Sequence, residues 1–431
     1  MKKIEEYSYE ISRCVRCGVC RSVCPTFGVI KREAASARGK VALADAYLKG
    51  EVKLTDTVLK HITECVLCGA CRQSCPNDVP VPDIMMAMRA EAVKKRGLPF
   101  LPSLIMKNLQ KPDAMMGKAL KAASLVQGLL FKRVPGESGL HRRFPLPLIQ
   151  RERFVPPLAK KFFLDSVKRG GDVVSTGDRG IRVGFFAGCM INYVMPNIGT
   201  ASLKVLRKSG ATVVVPQGQS CCGMPALGMG DIDDAKALAL KNLEVFEEHD
   251  LDFITSSCAT CSDGLKNRFR ELLQDEGPEL KERVDDFCDK VRDITELLVN
   301  NLGLTDGALD LKSAEPVPVV TYHDPCHLRR GQGIKDEPRE LIEMTGAKRK
   351  EMGHPCRCCG LGGSFNITHY DFSMAINRSK AEDIKETGAD VAATACPGCI
   401  MQLRDGLHKV GAETDVRHVV ELLADRIDIE D

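Results

Sequence analysis

The chain has 431 residues, 44% of them hydrophobic, no Trp, a net charge of +3 and 20 cysteines. That length and apolar content suit two to four packed domains and exclude wholesale disorder, while no run approaches the roughly 18 apolar residues of a membrane-spanning helix. The opening MKKIEEYSYE lacks the apolar core of a secretory signal, so the cysteines are expected to be reduced, cytoplasmic and metal-bound rather than paired in disulfides.

In chain order, residues 1–96 hold two copies of one cysteine run. Between the runs, SARGKVALADAYLKG and LTDTVLKHITEC have apolar residues at three- and four-residue steps and predict helices. Residues 97–180 form a basic, Pro-rich linker or docking segment with short helices. Its stretch 101–161 carries twelve Lys/Arg against three Asp/Glu, a net of +9 that leaves −6 for the rest of the chain. A first α/β unit is predicted over 181–300, with strands at RVGFFAGC, TVVVP and DFITSSC. Helices are expected near 197–209 and over DIDDAKALALKNLEVFEEHDL. A second unit over 316–431 repeats the order, with strands at PVVTYHDPC and DVAATAC and helices over KDEPRELIEMTG and FSMAINRSKAEDIKETG.

The two N-terminal runs are Cys14-x2-Cys17-x2-Cys20-x3-Cys24-Pro25 and Cys65-x2-Cys68-x2-Cys71-x3-Cys75-Pro76. Three thiolates at two-residue intervals can wrap one cubane 4Fe-4S cluster from a short loop, and the fourth, beside Pro, points to the neighbouring cluster. The expected sets are therefore crossed: Cys14, Cys17, Cys20 and Cys75 for one cluster, and Cys65, Cys68, Cys71 and Cys24 for the other. Zinc held by four thiolates at each site is the alternative. Forty residues separate Cys24 from Cys65. That spacing resembles the helical ferredoxin domain of succinate dehydrogenase iron–sulfur subunits more than the small β-rich ferredoxins, and it implies a helical domain.

The two α/β units carry Cys189-x31-Cys221-Cys222-Gly223-x34-Cys258-x2-Cys261 and Cys326-x31-Cys358-Cys359-Gly360-x35-Cys396-x2-Cys399. Offsets of 137, 137, 138 and 138 between matched cysteines point to an internal duplication. Each copy offers five thiols, the outer ones expected at strand ends and the adjacent pair in a loop opening toward a helix, so the loops could converge at one edge of the sheet. Adjacent cysteines chelate a single iron poorly and are expected to reach different irons of one cluster. A zinc site or reactive dithiol in one copy is the competing reading.

These units resemble the CCG domains of heterodisulfide reductase and its relatives. Two ferredoxin runs followed by two such domains resemble the iron–sulfur subunit of glycolate oxidase, with similar layouts in lactate-utilisation proteins and in the third subunit of anaerobic glycerol-3-phosphate dehydrogenase. SARGK (Ser36 to Lys40) and YHDPCHLRR (Tyr322 to Arg330) carry the same likeness. The resemblance implies a multidomain protein: a helical ferredoxin domain with two cubane 4Fe-4S clusters, then two duplicated α/β CCG domains with one or two further, non-cubane 4Fe-4S clusters. It also implies an oxidoreductase subunit of a glycolate or lactate dehydrogenase complex, passing electrons singly from the FAD of a partner flavoprotein to a quinone or other carrier. Two other readings stay open: a heterodisulfide-reductase-type catalytic subunit, and the iron–sulfur subunit of anaerobic glycerol-3-phosphate dehydrogenase.

Other features carry less. Neither Cys288 nor Cys356 belongs to the repeated pattern; Cys288 reads as structural, and Cys356 could be a spare ligand. His323, His327 and His354 flank the second CCG set; they could donate to cluster sulfurs or handle protons at a quinone, and loop capping is their simplest role. The glycines of Cys359-Gly-Leu-Gly-Gly-Ser364 do not follow a strand and open a helix, so no dinucleotide site is expected, and no Walker A motif occurs. The basic segment could meet an acidic partner or the cytoplasmic face of a membrane. No stacking-aromatic module accompanies it, so nucleic acid is not expected.

Overall fold

A computed structural model describes residues 1–98, 117–133, 140–142, 153–167, 172–304, 311 and 316–427. Most of the basic segment predicted as a linker lies outside the described residues.

The N-terminal domain is helical. Both predicted helices form, as Ala37–Leu48 and Asp56–Thr63. Ser36 caps the first by accepting from the Gly39 amide at 3.0 Å, and Thr55 caps the second from Val58. Ala37, Lys40, Val41 and Ala44 share the buried face of the first. Helix Val81–Arg96 runs beneath both cysteine loops, and Ile84, Met85, Ala87 and Met88 are buried in this domain's core.

A short antiparallel pair, β1 (Phe131–Arg133) and β2 (Leu140–Arg142), follows helix Gly117–Leu130. The first CCG domain is a five-stranded sheet of β3 (Val173–Ser175), β4 (Arg182–Phe185), β5 (Thr212–Val214), β6 (Phe253–Ser256) and β7 (Val291–Asp293), ordered β3-β5-β4-β6-β7. Only β3 is antiparallel. The sheet thus recruits a strand from before residue 181. The second CCG domain contains β8 (Val319–Tyr322), β9 (Lys348–Arg349), β10 (Val391–Thr394) and β11 (Asp415–His418), all parallel and ordered β11-β10-β8-β9. Without β3, the two orders coincide strand for strand. In both sheets the winding switches direction at the central pair, β4 with β6 and β8 with β10, so the loops after these strands open at the same carboxyl edge. The strands are short apolar runs, such as Val213–Val215 and Ala392–Ala393, because helices cover both faces.

Helix Ile232–Glu247 shows how sequence pattern sets the packing. Asp231 caps it, Asp233 and Asp234 favour its positive end, and Ala235, Leu238, Ala239, Asn242, Leu243 and Phe246 bury one stripe against the sheet. The repeats meet reciprocally. Helix Pro196–Lys208 packs on Val419–Ala424, while Glu337–Met344 packs on Ile294–Glu296 and Leu297–Asn301, its counterpart in the first repeat. This is the self-complementary geometry of a two-fold pair within one chain.

The N-terminal domain sits astride both repeats. Helix Val81–Arg96 lies against Met224–Met229 of the first. Val66, Cys68 and Ala70 share one core cluster with Cys358, Phe365 and Ile376 of the second.

Candidate metal centres

The two ferredoxin runs fold alike. Arg16 and Leu67, equivalent in the runs, both adopt φ 55°, coiling each loop back on itself ahead of the short helices Val19–Val23 and Ala70–Gln73, which pack on one another. One cavity is lined by Cys14, Cys17, Cys20, Cys71 and Cys75. A second is lined by Cys24, Cys65, Cys68 and Cys71. The run-final cysteine of each copy thus lies with the first three of the other, and Cys71 lines both cavities.

SARGK places one cation at each cavity. Arg38 lines the first, held by Glu33 at 2.6 Å and donating to the Arg16 carbonyl at 3.1 Å. Lys40 is buried, lines the second and bonds the Ala35 carbonyl. Burial pushes the Cys65 thiol up, and Lys40 and Arg89 oppose that shift.

In the repeats, Cys189 lies in helix Gly188–Tyr193 just past β4, and Cys326 opens helix Cys326–Arg329 past β8. Cys258 and Cys396 cap the helices that follow β6 and β10, with Cys261 and Cys399 in their first turns. The last cysteine of each set is therefore helical rather than at a strand end, because x2 spacing from a helix cap returns a side chain to the same face. The glycine of each CCG has a defined task. At φ 92°, Gly360 turns the loop into the left-handed region, and a Cβ there would meet the Ser373 carbonyl oxygen at 2.5 Å. Gly223 (φ 80°) does the same against Ala235.

All five thiols of the first repeat are brought together, with contacts running Cys189–Cys221–Cys222–Cys261–Cys258. In the second they run Cys358–Cys359–Cys399–Cys396, with Cys359 and Cys399 at 3.6 Å, and Cys326, half-buried, lies close by. The line continues across domains. Cys258 touches Cys396 between the repeats, and Cys358 touches Cys68 of the second ferredoxin run. No two cysteines are joined in a disulfide, and crowding drives them apart in acidity. Contact with Cys358, aided by Arg330, pulls Cys68 down to about 6. Contact with Cys221 and Cys261 pulls Cys222 down to about 5. Burial pushes Cys71 and Cys326 well up. So many buried sulfurs suit cations that share their charge, and the soft thiolate set suits iron–sulfur groups.

Charged side chains that spacing did not single out lock this line together. Arg89 is buried and donates to the carbonyls of Gly228 (2.5 Å), Ile62 (3.1 Å), Thr63 (3.3 Å) and Cys65 (2.6 Å), tying the second ferredoxin run to the first repeat. Arg330, within YHDPCHLRR, donates to Cys68 O (3.3 Å), Cys356 O (2.6 Å) and the Gln73 amide oxygen (3.1 Å), tying that run to the second repeat. His327 bonds Thr260 of the first repeat at 3.0 Å. Asp324 receives Arg329 at 2.7 Å and Arg339 at 2.8 Å. His354 is exposed in a loop. Cys288 is buried away from the line, donates to Leu265 O at 3.1 Å and is pushed up to about 12 by burial. Cys356 offers Arg330 its carbonyl and stands where the first repeat has Gln219. No helix among the described residues is long and apolar enough to cross a membrane.

The fold and thiol sets define a class, iron–sulfur proteins with a ferredoxin-type domain and two cysteine-rich domains. The 4Fe-4S dicluster domain matches residues 10–79, and the cysteine-rich CCG domain matches 183–266 and 320–404. The chain is 32% identical over 425 residues to the probable glycolate oxidase iron-sulfur subunit of Bacillus subtilis, covering 96% of this chain and 93% of that one, and it belongs to that family. It is 31% identical over 361 residues to one of the subunits of the fumarate reductase (CoM/CoB) of Methanothermobacter marburgensis, covering 83% of this chain and 60% of that one. Lactate utilization protein A of Bacillus subtilis is 31% identical over 250 residues, 57% of this chain and 100% of that one.

Proposed function

We propose that the chain is the electron-carrying subunit of a flavin-linked 2-hydroxyacid dehydrogenase, acting on glycolate or lactate through a partner flavoprotein. The observation that carries this reading is the unbroken line of contacting sulfurs. It runs from the second ferredoxin run (Cys68) through the second repeat (Cys358 to Cys396) to the first repeat (Cys258 to Cys189). Cys14, Cys17, Cys20 and Cys75 would hold one cubane cluster, and Cys24, Cys65, Cys68 and Cys71 the other. Cys189, Cys221, Cys222, Cys258 and Cys261, and likewise Cys326, Cys358, Cys359, Cys396 and Cys399, would hold two non-cubane ones. Once bound, these groups accept and release electrons one at a time.

The protein's own residues do the rest. Val66, Phe365 and Ile376 exclude water where the second ferredoxin site meets the second repeat. Arg38, Lys40 and Arg330 offset thiolate charge along the line. Cys17 is exposed beside Val15 (68% exposed) and Val19, so the first ferredoxin site is one that a redox partner can approach. Helix Gly117–Leu130 carries exposed Leu125 (82%), Val126 and Leu129 (72%) on one face. With the basic residues around it, that face suits a flavoprotein partner or the membrane holding a quinone.

A disulfide reductase would need room for its substrate between the repeats. Cys258 and Cys396 touch there and are only 5% and 3% exposed, which favours a relay.

The test is anaerobic purification with the flavoprotein encoded beside it, followed by addition of glycolate, lactate or glycerol 3-phosphate while the cluster EPR signals are watched. Reduction by a 2-hydroxy acid is expected. Reduction by glycerol 3-phosphate alone would reassign the partner. A colourless, zinc-loaded chain would end the reading.

A further inference from the structure

The two repeats hold the same five cysteines but not the same neighbours. His323 lies 137 residues after Phe186, the offset that relates Cys189 to Cys326. The backbone confirms that the two positions are equivalent: the Phe186 amide donates to Thr255 O at 2.7 Å, and the His323 amide to Ala393 O at 2.9 Å, each reaching the neighbouring central strand. In the first repeat this place is filled by a phenyl ring buried against Phe246. In the second it is an imidazole, 1% exposed, whose two ring nitrogens are buried with no nitrogen or oxygen partner and whose close polar neighbour is the Cys359 sulfur.

A buried polar group without a partner costs about 1–3 kcal/mol. His327, by contrast, is relieved by Thr260. Instead, a ring nitrogen of His323 and the sulfurs of Cys359 and Cys399 all lie within 4.8 Å of one another. That spacing fits three donors to one bound group. Neutral imidazole is a good ligand for iron, and nitrogen ligands replace thiolates in some iron–sulfur centres.

We propose that His323 is a nitrogen ligand to the iron–sulfur group of the second CCG site, making that site chemically distinct from the all-thiolate first site. The proposal rests on the cluster reading of the CCG sites. Where the ring nitrogen displaces one of the five thiolates, the bound group is left less negatively charged. That makes the second site the easier of the two to reduce, and the second site touches the ferredoxin run.

The experiment uses the full chain, purified anaerobically with 15N-histidine and poised so that CCG-site signals are visible, and read by pulsed EPR together with iron and sulfide quantitation. A strong nitrogen hyperfine coupling on one CCG signal is expected. It should be lost in His323→Phe, which installs the residue the first repeat already accommodates, and kept in Cys222→Ser. Two results would overturn the assignment with the cluster reading intact: full iron content with no histidine coupling in the native chain, or only the weak coupling of a hydrogen-bonded ring. Iron sufficient for the ferredoxin sites alone would overturn the cluster reading and this assignment with it. Because the native labelled chain decides the matter, a His323→Phe chain that failed to fold would not protect the proposal.

Discussion

The two CCG repeats share strand order, crossing helices and five cysteines each, yet their buried polar neighbours have diverged. Where the first has Phe186, Gln219 and Asp293, the second has His323, Cys356 and His418, the last pair matched by register, since Asp293 pairs Ser256 and His418 pairs Thr394. Among the described residues, the second repeat touches a ferredoxin cysteine, through Cys358 and Cys68. The first is held to the N-terminal domain by Arg89 instead. The difference teaches that duplication kept the thiol cage, which five ligands in fixed geometry demand. The surroundings were freed to make one copy a junction and the other a terminus.

The hardest way to break this comparison is to remove one ligand from each copy. Cys359→Ser should empty its own site and stop electrons from reaching the first repeat, whereas Cys222→Ser should leave reduction of the second site intact. Rapid-freeze EPR during reduction with dithionite, with iron counts, reads both. Equal effects of the two changes would show that the first repeat has its own route to the ferredoxin sites.

The two clamps sharpen it next. Arg89→Met strands four carbonyls, in a chain where Arg89 is buried, and should cost about 3–4 kcal/mol in denaturant unfolding.

Asp293 and His418 should give equivalent places opposite pH dependence. Burial raises Asp293 from 3.8 to about 6, so its stabilising contribution is full below about pH 4 and lost as pH rises through 6. Burial lowers His418 from 6.5 to about 4, so its contribution is full above pH 6.5 and lost as pH falls through 4. Each amounts to about 3 kcal/mol at most. Asp293→Asn should flatten the first dependence and leave the second, as thermal unfolding between pH 4 and 8 would reveal. An unchanged profile would mean that Asp293 stays ionised.

Arg330→Met, whose side chain is only half-buried, should cost about 1.5–3 kcal/mol. It should also slow transfer into the second repeat, while Arg330→Lys restores part of the stability but not the three-way bridge. Transfer at the native rate in Arg330→Met would reduce the residue to a structural clamp.

The cysteine sets were legible because ligand spacing is local. Four sulfurs within eleven residues, or two adjacent beside a glycine, constrain one another before any tertiary contact forms. The helices over Ala37–Leu48 and Ile232–Glu247 were legible for the same reason, their apolar stripes lying on a single turn-by-turn pattern. The 137-residue offsets announced the duplication, and even the Phe186–His323 difference could be read along it. What could not be read was which of those residues would be buried without a nitrogen or oxygen partner.

The sequence by itself therefore determined the chemistry: thiolate-rich sites, in two kinds, with one kind duplicated. Tertiary structure alone decided their order. Arg89 bonds a carbonyl 139 residues away and Arg330 one 262 residues away, and no pattern of local spacing encodes which surfaces three domains bury against each other. That choice comes from apolar packing such as Val66 with Phe365 and Ile376. It brings Cys68 to Cys358 and Cys258 to Cys396, joining separate sites into one line.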